Sequence, residues 1–475
     1  MSIGIQQLCE SVLHLNNIIA EDIICYEDSL GQHRINLMLA PTRESDNLCP
    51  ICGKKCVGYD THGHFGDGER KHWRSLDWGQ ALVTISYATH RIFCPDHGVI
   101  TSAVPWAYHN SSFTKEFDKT VTWKAQQCSK SAITKEMRIS WKTVGNCISR
   151  VRNDVEPDLK DRYSDLKRIG IDETSIATGH SYLTVVVNHD NNEVVWVSYG
   201  HSEEVLSQFF EELSEDQREK IELVTGDGAK WIKNCVNKYL KNAIFCIDSF
   251  HVVEWINGAL SELRLEEWRE KLAELKSLKK KREQARLKAK VNKDEKYKKL
   301  AESLDLQVSA KQEEVKKIKG GLYALGKNPE NLTESQKLKL AWLIQSSSKL
   351  HRAYDRKEQL RNALHCADFN VAREEIKKWI RWTKVCRIEL FKKLGQKIER
   401  HLDSIINTIK YKMNNARIEA TNNVIKLIIK RGFGYRNIQN LMDLVLVTCT
   451  KKYKTLPNRY NSSGFSGNWR SLKVA

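Results

Sequence analysis

The stretches KRIGIDETSI (residues 167–176) and IELVTGDGAKW (residues 221–231) decide the fold class of this chain. Each contains a short apolar run of β-strand composition, and we expect each strand to end at an aspartate, Asp172 or Asp227. If the two strands are parallel neighbours, both carboxylates lie at one end of the sheet, where α/β proteins place their sites. The two stretches therefore predict an α/β domain with a pair of acids.

The surrounding sequence supports an α/β order. KRIGID, SYLTVVV and EVVWVSYG have strand patterns, helical patterns over 203–215 and 229–240 separate the later strands IELVTGD and AIFCID, and a helix is predicted from His251. Residues 266–400 carry no convincing strand pattern and predict an all-α insertion.

These patterns predict a multidomain chain. The expected parts are a zinc-ribbon DNA-binding domain (1–105), a helix-turn-helix (106–160), the first part of an α/β core (161–265), the helical insertion (266–400), the final core helices (401–450) and a basic tail (451–475).

The charge balance favours a polyanionic partner. The 475 residues include 77 Lys+Arg against 59 Asp+Glu, a formal net charge of +18, which indicates nucleic acid. Residues 276–299 concentrate this charge, although a solvated helix face is the alternative explanation for that run. The 13 scattered cysteines suit a reducing cytoplasm, and neither a signal peptide nor a membrane span is expected.

A third acid, Glu419, lies in the helical pattern NNARIEATNNVIK (residues 414–426). Asn422, Asn423 and Lys426 follow it at helical spacing, so one face is predicted to present a carboxylate, two amides and a cation to DNA. Three carboxylates gathered in one pocket repel each other unless a cation lies between them. Asp172, Asp227 and Glu419 therefore predict a two-metal site that binds Mg²⁺ or Mn²⁺ and acts on phosphodiesters, although a surface charge or a helix cap is the commoner role of any single acid.

A second metal site is predicted near the amino terminus. Cys49-Pro-Ile-Cys52-Gly and Cys94-Pro-Asp-His97-Gly have the spacing of two zinc half-sites, and four protein ligands make a structural site. The ligand His97 is open to replacement, because there are further donors nearby: Cys56, His62, His64 and His72.

Residues 130–154, KSAITKEMRISWKTVGNCISRVRND, have the pattern of a helix-turn-helix. Ala132, Ile133 and Met137 are expected to face inward from the first helix. Ser140 is expected to cap the second helix. That helix has an expected inward stripe of Trp141, Val144, Ile148 and Val151. The expected outward, DNA-facing residues are Lys142, Thr143, Asn146, Arg150 and Arg152. An ordinary helical hairpin is the alternative.

The sequence Asp248-Ser-Phe-His251 follows the strand pattern AIFC. His251 is expected either to contact DNA or to hydrogen-bond Asp248 at the start of the next helix. The residues themselves favour Asp248 as the helix cap.

Together these motifs resemble the ISL3 family of transposases of bacterial insertion sequences, over about residues 45–445. The matching blocks include CPICG with CPDH, GIDETS, DSFHVVEWINGALSELR, NPENLTESQKLKL and, most specifically, residues 401–437. The resemblance implies an RNase H-like core with the acidic triad Asp172, Asp227 and Glu419, divided by a helical insertion. Two positions depart from the family pattern: Gly228 stands where a methionine is usual, and His97 where a cysteine is more frequent.

The leading hypothesis from the sequence is a DNA transposase that binds the terminal inverted repeats of its element and catalyses metal-dependent strand cleavage and strand transfer. Its expected partners are double-stranded DNA of the element ends and of the target, with the protein acting as a homodimer or larger assembly in the cytoplasm at the nucleoid. The alternative is a non-catalytic, transposase-derived DNA-binding regulator. A junction-resolving nuclease would leave the insertion and the helix-turn-helix without a role.

Overall fold

The computed structural model describes residues 4–11, 15–59, 70–155, 160–177, 179, 181–292, 295–413 and 416–450. The predicted basic tail at 451–475 lies outside these residues. No helix in the described part of the chain combines the length and the apolar character needed to cross a bilayer.

The described residues of the amino-terminal part form one short helix and two sheets. Its elements are α1 (Ile5–Ser11), β1 (Ile18–Glu27), β2 (His33–Pro41), β3 (Val57–Gly58), β4 (Lys71–Arg74), β5 (Leu82–Tyr87), β6 (Arg91–Cys94) and β7 (Gly98–Thr101). The larger sheet has the order β1-β2-β5-β4 and covers a core that includes Trp73 and Trp106, whose rings meet edge to face at 5.6 Å. The smaller sheet, β3-β6-β7, includes the predicted zinc ligand Cys94, and the other three predicted ligands lie in the turns next to it. The expected zinc ribbon is therefore only part of this region.

Three helices follow: α2 (Lys115–Gln127), α3 (Lys130–Met137) and α4 (Trp141–Val155). Ser140 caps α4 as predicted, because its Oγ accepts from the Thr143 backbone N–H at 3.1 Å. The turn before α4 places Arg138 in the left-handed region, with φ 53°. Ile133, Met137, Val144, Ile148 and Val151 are buried as expected. The predicted inward positions of Ala132 and Trp141 are wrong, since both residues are exposed.

The central element is a mixed sheet with the order β10-β9-β8-β11-β12. Its strands, with the helices between them, are α5 (Lys160–Tyr163), β8 (Arg168–Ala177), β9 (Ser181–Asn188), β10 (Glu193–Tyr199), α6 (Glu203–Glu212), α7 (Glu215–Glu219), β11 (Leu223–Gly226), α8 (Lys230–Tyr239) and β12 (Ile244–Ile247). β8, β9 and β10 form an antiparallel meander, and β11 lies parallel to both β8 and β12. The α/β prediction is thus confirmed, with β8 and β11 as parallel neighbours.

The insertion is helical in its described residues. Its elements are α9 (Ser249–Asn292), α10 (Glu295–Lys319), α11 (Leu322–Gly326), a 3₁₀ turn (Pro329–Asn331), α12 (Glu334–Ser346), α13 (Ser348–Leu364), α14 (Phe369–Val385) and α15 (Glu389–Arg400). α9 runs without a break across the expected boundary at 265/266, and α10 packs along it as a hairpin. One apolar cluster joins α11 to α15 with the central sheet, so the insertion and the sheet share a core.

Three helices complete the described chain: α16 (Leu402–Lys410), α17 (Ala416–Arg431) and α18 (Ile438–Thr448). α16 packs on β12, where Thr408 Oγ1 donates to the Ile247 carbonyl at 2.6 Å. α17 contacts β8, and α18 contacts both β10 and α4. A second apolar cluster therefore unites the helix-turn-helix with β9, α17 and α18.

Candidate active site and metal centre

Asp172 and Asp227 lie beside each other in the sheet. Thr225 of β11 is in register with Gly170 of β8, and each aspartate follows two residues later in the chain. Asp227 comes directly after β11, as predicted. The expected strand end at Asp172 is wrong, because β8 continues to Ala177 through its pairing with β9.

Both oxygens of Asp172 accept hydrogen bonds. Oδ1 accepts from the Glu173 backbone N–H at 2.7 Å and Oδ2 accepts from Asn422 Nδ2 at 2.6 Å. Burial raises the pKa of Asp172; the hydrogen bond from Glu173, the charge of His251 and the bond from Asn422 oppose that rise, while Asp227 adds to it. The Asp172 carboxylate is thus fixed in direction, and the negative charge of Asp227 already raises its pKa.

Asn422 turns inward, against the expectation that it faces DNA. Its side chain is buried, and its Oδ1 accepts from Thr174 Oγ1 at 2.8 Å while its Nδ2 binds Asp172. Gly170 makes this approach of α17 possible, since a Cβ there would lie 2.0 Å from Ile418 Cδ1. Asn422 is therefore a positioning residue for Asp172.

Asp227 is held by its own turn, where its Oδ1 accepts from the Ala229 backbone N–H at 2.8 Å. The family departure at Gly228 has a local reason, because a Cβ there would lie 2.5 Å from the Trp255 ring. Lys397 Nζ stands 3.7 Å from the centroid of the same ring. Burial lowers the pKa of Lys397, and the charge of Asp227 opposes that shift.

Sequence reasoning missed several residues around Asp227. The charge of Asp227 acts on the pKa of both Lys397 and His401. The centroids of the His401 and Trp255 rings are 5.6 Å apart. His401 Nδ1 is buried without a hydrogen-bond partner among the described residues. No local pattern reveals these residues, because α15 and α16 return to the sheet only after the whole insertion.

Glu173 was also missed, although it adjoins Asp172 in GIDETSI. It lies on the opposite face of β8, the face that carries Ile169 and Ile171. Burial, with the charges of Asp227 and Asp172, raises the pKa of Glu173 to about 7, and the charge of His251 opposes the rise. The adjacent acid in the motif was the available signal.

The Asp248 cap is confirmed: its Oδ1 accepts from the Phe250 backbone N–H at 3.0 Å in the first turn of α9. Nδ1 of His251 lies 3.3 Å from Glu254 Oε2 on the same helix.

Glu419 stands apart from the two aspartates. Within the described residues, the ligand atoms of Asp172, Asp227 and Glu419 do not all lie within 4.8 Å of one another. Glu419 is exposed and lines a cavity of about 420 Å³ with Asp248 and Phe250. It is only about 60° around α17 from Asn422, so it borders the face that meets β8. Asn423 and Lys426 are exposed on the same helix.

The predicted zinc ligands do come together. One ligand atom from each of Cys49, Cys52, Cys94 and His97 lies within 4.8 Å of all the others. Nδ1 of His97 is 3.6 Å from Cys49 Sγ and 3.5 Å from Cys94 Sγ, and the sulfurs of Cys52 and Cys94 are 3.7 Å apart. Zinc–sulfur bonds of about 2.3 Å in a tetrahedron place ligands roughly 3.8 Å apart, so the spacing fits zinc.

The clustering of its ring nitrogen with the three sulfurs therefore favours His97 as the fourth ligand. Of the spare donors, Cys56 Sγ donates to the Lys54 carbonyl at 3.3 Å and His72 is exposed on β4. His62 and His64 lie outside the described residues.

The outward residues of α4 divide into two groups. Lys142 and Asn146 are exposed as expected, and the Oγ1 of Thr143 lies 2.8 Å from Ser140 Oγ. Arg150 instead turns inward, where its Nε and Nη2 donate to the buried Asp118 at 2.6 and 2.8 Å. Arg152 is half-buried and donates to Asn153.

A helix-turn-helix fused to a mixed sheet that carries paired carboxylates defines a DNA-binding protein with an acidic site. Comparison with known proteins gives the family. A family model described as "Transposase" matches residues 169–445, and another described as "Helix-turn-helix domain of transposase family ISL3" matches residues 102–152. The chain belongs to the ISL3 family of transposases.

Individual relatives agree with this assignment. The chain is 38% identical over 448 residues to the transposase for insertion sequence element IS1557 of Mycobacterium tuberculosis, covering 93% of this chain and 95% of that protein. It is 22% identical over 407 residues to the transposase for insertion sequence element IS1001 of Bordetella parapertussis, covering 85% and 88%.

Proposed function

We propose that this transposase binds the terminal inverted repeats of its own element and catalyses metal-dependent DNA strand cleavage and strand transfer. The observation that carries the proposal is the pair Asp172 and Asp227, side by side on parallel strands and electrostatically coupled. Carboxylates at neighbouring positions of two adjacent parallel strands, one on β8 and one directly after β11, are what the expected RNase H-like core requires.

The donor set suits Mg²⁺ or Mn²⁺, because carboxylate oxygens are the ligands these ions prefer. Asp172 and Asp227 would hold the metal, and Glu419 is the proposed third ligand. When bound, such ions activate the attacking oxygen and stabilise the leaving oxygen of a phosphodiester. The protein contributes direction: Asn422 and the Glu173 backbone N–H orient Asp172, and the Ala229 backbone N–H orients Asp227.

We call the sheet β3-β6-β7, with the four predicted zinc ligands beside it, the zinc sheet. The proposed DNA-binding surfaces are this zinc sheet, the exposed residues Lys142 and Asn146 of α4, and the exposed residues Asn423 and Lys426 of α17. His251 lies near the acids and remains a candidate for a DNA contact, because its charge acts on Asp172 and Glu173. Since two element ends must be joined in one event, we propose a homodimer or larger assembly on DNA, acting on the nucleoid in the cytoplasm.

The test uses a supercoiled plasmid that carries the ends of the element. Asp227→Asn should abolish Mg²⁺-dependent nicking and excision while the end DNA is still bound. Asp216→Asn on the surface helix α7 is the matched control and should cleave normally. Cleavage by the Asp227→Asn protein would refute the proposal, and binding without cleavage by the unaltered protein would indicate a DNA-binding regulator.

A second pair of variants tests the third ligand. Glu419→Gln should abolish cleavage, whereas Glu173→Gln should retain it. The reverse result would move the third carboxylate from α17 to β8.

A further inference from the structure

An open groove of about 930 Å³ lies between the helix-turn-helix and the central sheet. We call it the aromatic groove, defined by Trp141 of α4, Tyr199 of β10, and Phe433 and Tyr435 of the loop between α17 and α18. Segments of three parts of the chain thus meet here. Of the residues that line the groove, only Lys142 has a role proposed above, and none of the aromatic residues does.

Three of its aromatic residues are exposed to solvent. Trp141 is 49% exposed, Tyr199 48% and Phe433 87%. Large apolar side chains grouped on a surface mark an interaction site, whereas single ones are ordinary. Rings presented together in one groove are suited to a partner with flat faces.

Phe433 is held in a backbone conformation that its side chain disfavours. Its φ is 50°, in the left-handed region that glycine usually occupies at a helix carboxyl terminus. The backbone N–H groups of Gly432 and Phe433 close the end of α17 by donating to the Ile428 and Lys430 carbonyls. The ring buries little of its surface in the free protein, so contacts within the chain do not account for phenylalanine at this position.

The charge of the aromatic groove is positive. Lys142 and Arg436 are exposed on its walls, and Lys130 Nζ lies 4.9 Å from the Tyr435 ring centroid. No Asp or Glu is found among the described residues that line it. Cations interleaved with aromatic rings are the chemistry that binds the phosphates and base faces of a nucleic-acid strand.

The groove lies within a short reach of the paired acids. Ile176 lines it and stands four residues beyond Asp172 on β8, about 13 Å at 3.3 Å per residue. At the rise of about 3.4 Å per nucleotide of a stacked strand, that span equals roughly four nucleotide steps, and it equals fewer steps when the strand is extended. A strand held at the acids can therefore place nearby bases in the groove.

We propose that the aromatic groove binds unpaired nucleotides of the DNA strand that is cut or joined at Asp172 and Asp227. The bases must be unpaired because their faces are covered by neighbouring bases in an intact duplex, whereas stacking rings need an open face. The proposal rests on the proposed function for the identity of the strand, but the binding itself requires no cleavage.

The test compares two fluorescein-labelled probes in Mg²⁺-free buffer: a short blunt duplex, and the same duplex with a 3′ overhang of about four thymidines, near the smallest single-strand site size. Anisotropy titration of the full-length protein should show tighter binding of the overhang probe. Trp141→Ala and Phe433→Ala should each weaken overhang binding by about tenfold and change blunt binding by less than about twofold.

Matched variants separate stacking from folding. Phe433→Gly suits the positive φ, so it should fold at least as well as the unaltered protein and still lose the overhang preference. Phe433→Trp should retain that preference. Tyr323→Ala removes a ring that is 70% exposed on α11, outside the groove, and should change neither probe.

Three results would overturn the inference: no overhang preference in the unaltered protein, equal losses on both probes in the groove variants, or a change of oligomeric mass in those variants with overhang binding intact. The last result would make the groove an interface between copies of the chain. Asp227→Asn should keep the overhang preference. Cleavage without the preference would refute only this inference, and the preference without cleavage would refute only the proposed function.

Discussion

Asn422 is the residue through which α17 meets β8. Its buried side-chain amide accepts a hydrogen bond from the Thr174 hydroxyl and donates one to a carboxylate oxygen of Asp172. The neighbouring Asn423 is exposed to solvent. Two identical side chains, adjacent in sequence, thus have different tasks because the helix turns about 100° between them.

Asn422→Ala should therefore lower both stability and cleavage. The variant loses two buried hydrogen bonds, one of them to a carboxylate, which costs about 1.5–3 kcal/mol, and it loosens the helix that carries Glu419. We expect a lower melting temperature and at least tenfold slower plasmid cleavage, with DNA binding retained. Asn423→Ala, the matched control, should melt normally; equal melting of the two variants would contradict this role of Asn422.

Glu173 should make the stability of the metal-free protein depend on pH. Its folded pKa of about 7 exceeds the ordinary value of 4.5, so the native state binds more protons between these values. The free energy of unfolding should consequently fall as pH rises from about 4.5 to 7, and stay level above.

Glu173→Gln should remove this slope. After allowance for the partial exposure of the group, the variant should be more stable than the unaltered protein by about 1 kcal/mol at pH 8, and equally stable at pH 4.5. Thermal melts across this range measure the difference, with Glu215→Gln on α7 as the control. Parallel curves for the unaltered protein and Glu173→Gln would show that Glu173 does not retain its proton.

At the residue scale, the sequence predicted that Asp172 and Asp227 are neighbours and that the four proposed zinc ligands cluster, because short apolar strands and paired half-sites are local signals. It could not assign directions on helices. Arg150 has the side chain expected of a DNA contact, yet its guanidinium donates to the buried Asp118, 32 positions away. Lys397 and His401 reach Asp227 through tertiary packing that no local pattern encodes.

At the scale of elements, the positions of the core strands along the chain and the helical insertion were predicted, whereas the sheet order and the element lengths were not. β8 passes Asp172 because β9 extends the ladder beyond the end of β11. α9 crosses the expected insertion boundary because its sequence contains no proline and its single glycine, Gly258, does not end the helix. A Cβ added at Gly258 would have no atom within 4 Å, so no close packing requires the glycine there. Element ends thus depend on neighbours more than on propensity.

The sheet β3-β6-β7 should depend on its metal. Among the described residues, the buried members of its own apolar cluster are Cys49, Ile92 and Cys94, and two of these are predicted zinc ligands. Metal analysis should give one zinc per chain, and Cys52→Ser should lose it. Hydrogen exchange should then rise across this sheet and remain slow in β8 and β11.

Cys56→Ser is the matched control for that experiment and should keep both the zinc and the slow exchange. Loss of zinc in Cys56→Ser together with retention in His97→Ala would reassign the fourth ligand.

At the scale of the molecule, the helix-turn-helix and the central sheet form one packed body. Gly145 of α4 allows close contact with Asn440 of α18, and Arg431 donates to the Gln126 carbonyl at 2.7 Å. The aromatic groove exists only because of this union. Contacts across about 300 residues lie beyond any sequence pattern, so neither the union nor the groove could be predicted.

With a net charge of +18, the chain as a whole should attract DNA. The salt dependence of DNA binding, compared between lysine variants, tests which lysines contact phosphates. Each phosphate neutralised contributes about −0.9 to the slope of log affinity against log salt. If the basic run of α9 holds DNA, replacing Lys276, Lys280 and Lys281 together by alanine should make that slope shallower by about 2–3 units. All three are exposed on the described part of α9.

Three lysines of the other insertion helices give the matched control: Lys377, Lys378 and Lys384. They are ion-paired with Glu374, Glu375 and Glu399 at 3.0, 2.6 and 2.7 Å, so their charges are already balanced within the chain. Replacing them by alanine should leave the slope nearly unchanged in filter-binding titrations between about 50 and 200 mM salt. An unchanged slope in the α9 variant as well would show that its basic run is a solvated helix face, and the phosphate contacts would then have to come from the zinc sheet, α4 and α17.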